Sequence, residues 1–309
     1  MSITMRVINS NGGAMELACK NTRGIDVMDV LEPSVQNVET LKANFSNLNV
    51  RHGYIGAELA SKMDKADVVY INTAKRQYTA SESAVPIVDK NMAGGSGNGV
   101  LVMKNAFRLV SLQEPEMFIV ENGLKIHTAA AEAFAALPNY YIRQLIVKDA
   151  RKCGSPMKKQ KSFLIGTKRD FSLAWRERAA APLSNFLEKG VDYGELPAYA
   201  LNRMNGKTKG FPSVVIDPDT DSVVPNITGH YAKDDSEVLV KDAGTGMIRP
   251  FTATEIARFY GFPDEYRFMG SNRQKIKQIA DSVGVGFASF LAEDVIKHYF
   301  NNCYNNAIA

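Results

Sequence analysis

Two short polar segments carry the residue types that could do chemistry in this chain. Lys75 and Arg76 follow an apolar run at 66–71, and Glu121 and Asn122 end a second apolar run. A lysine amine is protonated near neutral pH unless it is strongly desolvated, so the basic pair is predicted to be solvated or to face phosphate. The acid–amide pair has two open interpretations: it hydrogen-bonds a ligand, or it holds the backbone at a strand end.

The elements that position these segments follow from the pattern of apolar residues. Short β-branched runs alternate with amphipathic runs in the first third of the chain, which predicts a parallel α/β sheet. Because parallel strands end at one edge of a sheet, a ligand site is expected at that edge. The predicted strands are 6–8, 25–31, 66–71 and 117–120, and the predicted helices are 14–20, 35–45 and 105–112.

The pattern changes near Asp170, where irregular, turn-rich sequence predicts a small α+β insertion. Helical periodicity returns at Ile279 and runs to Tyr299. The predicted fold class is therefore α/β, with a doubly wound, mostly parallel sheet and a small α+β domain. The predicted large domain spans 1–170 plus 275–309, and the predicted small domain spans 171–274.

Composition limits the class of protein. Hydrophobic residues make up 45% and charged residues 23% of the 309 positions, as in ordinary soluble proteins. No apolar run is long enough to span a bilayer, and the N-terminus lacks a signal-peptide layout, so a cytoplasmic protein without membrane contact is expected. The three cysteines and four histidines are too scattered to predict a disulfide framework or a metal site. A net charge of +4 mildly favours a polyanionic partner.

Four motifs resemble those of the DNA (cytosine-5) methyltransferases in order and spacing. In the last of them, Thr252 and Glu255 form a Thr-x-x-Glu capping box, which predicts the start of a helix. The resemblance implies the S-adenosylmethionine-dependent methyltransferase fold, with the small domain in target recognition. The four motifs are Asp67 to Thr79, Val120 to Gly123, Gly154 to Gly166, and Arg249 to Tyr266.

The resemblance also implies an S-adenosylmethionine site that is eroded in this chain. The family's glycine-rich turn lies near the methionine part of the cofactor, and here Ser10 replaces its first glycine. The ribose-binding acid corresponds to Glu32, for which an exposed acid at the start of a helix is the open alternative. Tyr54 replaces the adenine-binding aspartate, so cofactor binding is expected to be weak or lost. The implied cofactor-binding residues are Ile8, Gly12, Gly13, Glu32, Tyr54 and Ile55.

The positions that the resemblance implies are catalytic also carry replacements. The family attacks cytosine with a cysteine thiolate, and an ungapped match places Lys75 at that cysteine. A protonated lysine is no substitute for a thiolate, so the chain is expected to be inactive in cytosine methylation. Glu121 and Asn122 match the family's pair, whose glutamate hydrogen-bonds the target base. Lys159 and Lys161 match two family arginines and keep the charge without the bidentate fork.

The densest basic region of the sequence surrounds these lysines and predicts a nucleic-acid surface, with a solvated surface as the alternative. The implied partner is double-stranded DNA, which would make the protein nucleoid-associated. An active methyltransferase subunit or a second copy of the chain is a further expected partner. The predicted DNA-binding residues are Arg76, Arg151, Lys158, Lys159, Lys161 and Arg169.

Three functions stay open from the sequence. The first is a catalytically degenerate DNA-binding relative or partner subunit of the cytosine-5 methyltransferases. The second is an S-adenosylmethionine-dependent enzyme that modifies DNA or nucleotides by different chemistry, for instance through Lys75. The third is a structural or interaction protein that does not bind DNA.

Overall fold

A seven-stranded sheet forms the centre of the protein. The computed structural model describes residues 2–53, 62–72, 107–122, 134, 136–173, 175–207 and 212–305. The strand order is β3-β2-β1-β4-β5-β7-β6, and β7 runs antiparallel to both of its neighbours. The prediction of a mostly parallel sheet is confirmed. The strands are β1 (Ile3–Ile8), β2 (Ile25–Glu32), β3 (Val50–His52), β4 (Val68–Asn72), β5 (Met117–Asn122), β6 (Tyr141–Val147) and β7 (Lys161–Thr167).

Helices cover both faces of this sheet, and local capping explains where several of them begin. Ser34 caps α2, and the predicted box of Thr252 and Glu255 is present at the start of α4. Ser271 and Gln274 form a second capping box at the start of α5. Residues 107–113 are also helical. The bounds are α1 (Ala14–Asn21), α2 (Val35–Asn44), α3 (Ala198–Met204), α4 (Ala253–Phe259), α5 (Asn272–Asp281) and α6 (Val285–Phe290), which continues as a π-helix (Leu291–Lys297) into α7 (His298–Asn305).

The helical pattern predicted from 279 to 299 is interrupted once, between α5 and α6. Helix α5 ends at Asp281, Ser282 is extended with φ −66° and ψ 159°, and α6 begins at Val285. Gly284 has φ 90°, a conformation that side chains disfavour, so the chain turns there before the next helix starts. No helix of the described residues is long and apolar enough to cross a membrane.

A second sheet lies within the turn-rich part of the chain. It contains β8 (Val214–Ile216), β9 (Val238–Lys241) and β10 (Ile248–Pro250), in the order β10-β9-β8. One buried apolar cluster includes Phe163 of β7 and Val240 of β9, so both sheets contribute to the same core. A second cluster covers the other face of the large sheet, as expected for parallel strands that are buried on both sides.

A buried arginine joins β10 to α4. Arg249 Nε lies 3.0 Å from Asp242 Oδ2, and its Nη2 lies 2.7 Å from Glu255 Oε1. Glu255 also accepts a hydrogen bond from the backbone N–H of Thr252 at 2.9 Å, which completes the capping box. The guanidinium therefore connects the small sheet to the start of a helix through charges that are shielded from water.

Arg249→Met tests this network. We expect the free energy of unfolding to fall by roughly 3–5 kcal/mol, because two carboxylates would remain buried without their cation. Urea denaturation measures the change. Lys152→Ala removes one partner of an exposed pair with Glu177 and is the control, which should leave the unfolding midpoint unchanged. Equal midpoints for parent and Arg249→Met would show that the network is not stabilising.

Candidate functional site

The first loop of the sheet is a tight turn that requires glycine. It follows β1 at the edge where the parallel strands end, and Gly12 and Gly13 have φ values of 95° and 87°. A Cβ atom on Gly13 would overlap the hydroxyl of Tyr266, which donates a hydrogen bond of 2.8 Å to the carbonyl of Gly12. Glycine leaves room at this turn for the side chain of Tyr266, and any other residue at position 13 would displace the tyrosine.

Glu32 ends β2 beside the same turn. It is buried, so the alternative of an exposed acid is wrong. Its carboxylate accepts hydrogen bonds from the backbone N–H of Asn11 at 3.1 Å and of Ser34 at 2.9 Å, and from the side-chain amide of Asn37 at 3.1 Å. Burial raises the pKa of Glu32, and these three hydrogen bonds oppose that rise. The carboxylate ties β2 and α2 to the turn.

Buried polar atoms without a hydrogen-bond partner gather at this turn. They are the hydroxyl of Ser10, both amide atoms of Asn11 and both carboxylate oxygens of Glu16. Glu16 lies on the first turn of α1 and is 2% exposed. Burial raises its pKa from 4.5 to about 7. Buried polar groups are nearly always satisfied, so this cluster fits a polar ligand at the turn.

The structure brings together four of the six predicted cofactor-binding residues. Ile8 pairs with β2 and β4 at the end of β1, directly before the turn that contains Gly12 and Gly13, and Glu32 bonds that turn. The chemistry of S-adenosylmethionine partly fits this site, because its ammonium and sulfonium groups complement Glu16, whereas its carboxylate does not. The predicted positions Tyr54, Ile55, Lys75 and Arg76 lie outside the described residues.

A second polar group lies at the end of β5, along the same edge of the sheet. Glu121 is fully buried, and its two carboxylate oxygens accept hydrogen bonds from Lys161 and Tyr70. Lys161 begins β7, and Asn122 of β5 pairs with Ser162 in the register of that strand. Burial raises the pKa of Tyr70 well above its usual value, and Glu121 adds to that shift. Tyr70 is therefore a neutral donor to a charged pair.

Lys159 is also inside the protein. Its ammonium group donates to the carbonyls of Ala280 at 3.4 Å and Ser282 at 3.2 Å, and it lies 3.8 Å from the ring centre of Tyr260. These carbonyls end α5, where a cation is favourable. Burial lowers the pKa of Lys159 well below its usual value, and the nearby Lys161 adds to this effect. The side chain joins the segment before β7 to the end of α5.

The expected basic surface is therefore divided. Lys159 and Lys161 are only 6% and 8% exposed and donate to groups of the protein, so contact with DNA phosphates would require them to give up these partners. Arg151 and Lys158 are exposed in the connection from β6 to β7, at the edge that also holds Glu121. Arg169 follows β7 at the opposite edge, roughly 20 Å away along a seven-residue strand. Of the predicted DNA-binding residues that the structure describes, Arg151 and Lys158 are the two that are exposed beside the site.

Two groups at the site were not predicted from the sequence. Tyr70 lies within an apolar strand, and nothing in its neighbours indicates a contact with Glu121. Glu16 gives a weak signal, since it is the single acid in the buried run Ala14 to Cys19. An acid on the buried face of a helix needs a partner or a raised pKa.

The fold has counterparts in known proteins. The family model for C-5 cytosine-specific DNA methylase matches residues 224–297. Over 285 residues the chain is 25% identical to the type II methyltransferase M1.ScrFI of Lactococcus lactis subsp. cremoris, which covers 84% of this chain and 69% of that protein. In fold it is similar to the Entamoeba histolytica methyltransferase EhMeth (TM-score 0.74, 13% identity, 96% and 98% of the two chains). It is also similar to the S. pombe Dnmt2 methyltransferase (TM-score 0.72, 15% identity, 96% and 99%).

Glu16→Gln tests the buried acid beside the turn. The pKa of Glu16 is 4.5 in the unfolded chain and about 7 in the folded protein. The free energy of unfolding of the unmodified protein therefore falls as pH rises through this range, and Glu16 causes no further change above it. We expect the variant to gain about 3 kcal/mol relative to the parent between these pH values. Urea denaturation across pH measures it. Glu39→Gln, on the exposed face of α2, is the control and should track the parent. If the free energy of unfolding of Glu16→Gln and of the unmodified protein changed with pH in the same way, the raised pKa of Glu16 would be contradicted.

Proposed function

The chain belongs to the DNA (cytosine-5) methyltransferase family, and on that premise we propose that it is a catalytically degenerate member that binds double-stranded DNA. It acts either alone or as a DNA-binding subunit beside an active methyltransferase. In this proposal residues 171–274 form the target-recognition part, and the edge of the large sheet with Glu121 faces the DNA.

The ion pair of Glu121 and Lys161 is the observation that carries this proposal. An ionised carboxylate only accepts hydrogen bonds, and here both oxygens already accept them from Lys161 and Tyr70. The N3 atom of cytosine is itself an acceptor, so it could bond Glu121 only through a proton on that carboxyl, and both oxygens of Glu121 face the donors Lys161 and Tyr70 instead. Lys75 at the position of the nucleophile removes the second requirement of the reaction, a thiolate.

Binding to DNA is supported by the exposed cations of the connection from β6 to β7. Arg151 and Lys158 lie at the edge of the sheet that the family turns towards its substrate, and phosphate contacts need charge rather than a defined fork. Arg151 is paired with Asp149, whose carboxylate lies 2.8 Å from Arg151 Nε. Phosphate would have to compete with this aspartate, so the affinity should be modest and should depend strongly on salt.

A second candidate is an S-adenosylmethionine-dependent enzyme with different chemistry, and the unsatisfied polar atoms at the turn favour it. Ser10, Asn11 and Glu16 would hold the polar end of the cofactor, which supplies an electrophilic methyl group when bound. In that case Glu16 would bind in its charged form, and affinity would rise as pH increases through about 7.

A methyl-transfer assay separates these candidates. The purified protein is incubated with duplex DNA and S-adenosylmethionine that carries a labelled methyl group, and Lys75→Ala is treated in the same way. We expect no 5-methylcytosine from either protein, because no thiolate is available. Formation of 5-methylcytosine by the parent would refute the degenerate assignment. Label transferred elsewhere by the parent but not by Lys75→Ala would favour the second candidate.

A salt titration of DNA binding tests the surface. We expect Arg151→Gln combined with Lys158→Gln to weaken duplex binding and to reduce the slope of log K against log salt by about two units, one for each lost phosphate contact. Arg169→Gln, at the opposite edge, is the matched control and should bind like the parent. An unchanged slope in the double variant would exclude this surface. If the parent itself does not bind, the third function, an interaction protein without DNA, takes the place of the first.

A further inference from the structure

A cavity of about 330 Å³ lies in the turn-rich part of the chain and shares no lining residue with the sites described above. It forms where α3 and the turn at Gly229–Ala232 meet the first turns of α4 and α5. Its volume lies at the small end of the range found for sites that take organic molecules. Four of its lining residues, Pro250 to Ala253, belong to the motif Arg249 to Tyr266, but none belongs to the glycine turn or to the group around Glu121.

Aromatic and apolar side chains line this cavity. Tyr193 and Tyr199 are 41% and 55% exposed, which is unusual for side chains of this size. Phe251 and Ile276 also line the cavity and are buried. Exposed aromatic side chains beside buried apolar ones favour a flat, unsaturated ligand, because such a ligand can stack on the rings and cover apolar surface.

An acid is held between the two tyrosines. The hydroxyl of Tyr199 donates to Asp235 Oδ1 at 3.2 Å, and that of Tyr193 donates to Asp235 Oδ2 at 3.4 Å. Each carboxylate oxygen keeps a further lone pair, so the half-buried acid offers two acceptors side by side to the cavity. Such a pair matches a ring that presents two neighbouring N–H donors.

Two cations line the same cavity. They are Lys233, which follows the turn at Gly229–Ala232, and Arg273, on the first turn of α5. Among the described residues neither has a salt bridge to an acid, and both are exposed. They give the cavity a positive rim over an aromatic interior, which is suited to a ligand that combines a ring with an anion.

We propose that this cavity binds a nucleotide, with the base against the tyrosines, the phosphate at Lys233 and Arg273, and guanine preferred. Guanine carries adjacent N1–H and N2–H donors for Asp235, whereas cytosine and adenine each present one amino group beside a ring acceptor. The nucleotide is free or part of a single strand. The proposal goes beyond the proposed function, since it requires neither duplex binding nor the edge of the sheet with Glu121.

Calorimetric titration of the full chain tests the ligand and its source. The probes are guanosine, adenosine and cytidine monophosphates, guanosine itself, and two single-stranded oligodeoxythymidines of equal length, one with a central guanine. We expect guanosine monophosphate to bind about tenfold tighter than the other two nucleotides and tighter than guanosine. A stronger response to the guanine-containing strand than to the free nucleotide would identify a strand as the source, and the reverse a free nucleotide. No binding of any guanine probe at millimolar concentration would overturn the proposal.

Variants of the lining residues test which side chains bind the nucleotide. We expect Tyr199→Ala to weaken guanosine monophosphate about tenfold and Tyr199→Phe to keep most of the affinity, because the ring stacks. Asp235→Asn should remove the preference for guanine, since an amide offers one acceptor instead of two. Arg273→Gln should weaken the nucleotide but not the nucleoside. Lys277→Gln, one turn further along α5, and Tyr141→Ala, an exposed tyrosine of β6, are the controls. A control that weakens binding as much as its partner variant would refute the assignment.

Discussion

The contact between Lys161 and Glu121 is the interaction on which the edge of the sheet depends. Each group would be costly to bury alone, and the pair tolerates burial because Tyr70 supplies a further hydrogen bond to the acid. The pair also fixes β7 against β5 at the point where the parallel strands end. The arrangement of charge, rather than apolar packing, therefore decides how the antiparallel strand begins.

Lys159 extends the same principle beyond the sheet. Its ammonium group meets two carbonyls at the end of α5, which are the groups that a helix leaves without internal partners. A single side chain thus satisfies a helix end and attaches it to the strand that carries Lys161. Two lysines of a basic stretch that suggests contact with an external polyanion are therefore used to hold the protein together.

Structure that depends on neighbouring residues is predictable from this sequence, whereas structure that depends on contacts between distant residues is not. The capping box of Thr252 and Glu255 was predictable because both partners lie within one helical turn, and the strands from 25–31 and 117–120 were predictable from apolar runs. Lys159 was assigned to the surface because its partners lie more than 100 residues later in the chain. The burial of Glu32 depends on Asn11, from the loop after another strand. Strands β6 and β7 were missed, since β7 opens with a lysine that looks solvent-exposed in the sequence.

The hydrogen bond from Tyr266 to Gly12 spans 254 residues of sequence. During synthesis the first strand and its glycine turn leave the ribosome long before the tyrosine that occupies the space beside Gly13. Closing so long a loop is slow compared with forming neighbouring contacts. The nascent chain therefore holds an incomplete first turn, with apolar side chains such as Leu41 and Phe45 lacking their final neighbour, until the last quarter of the protein has been made.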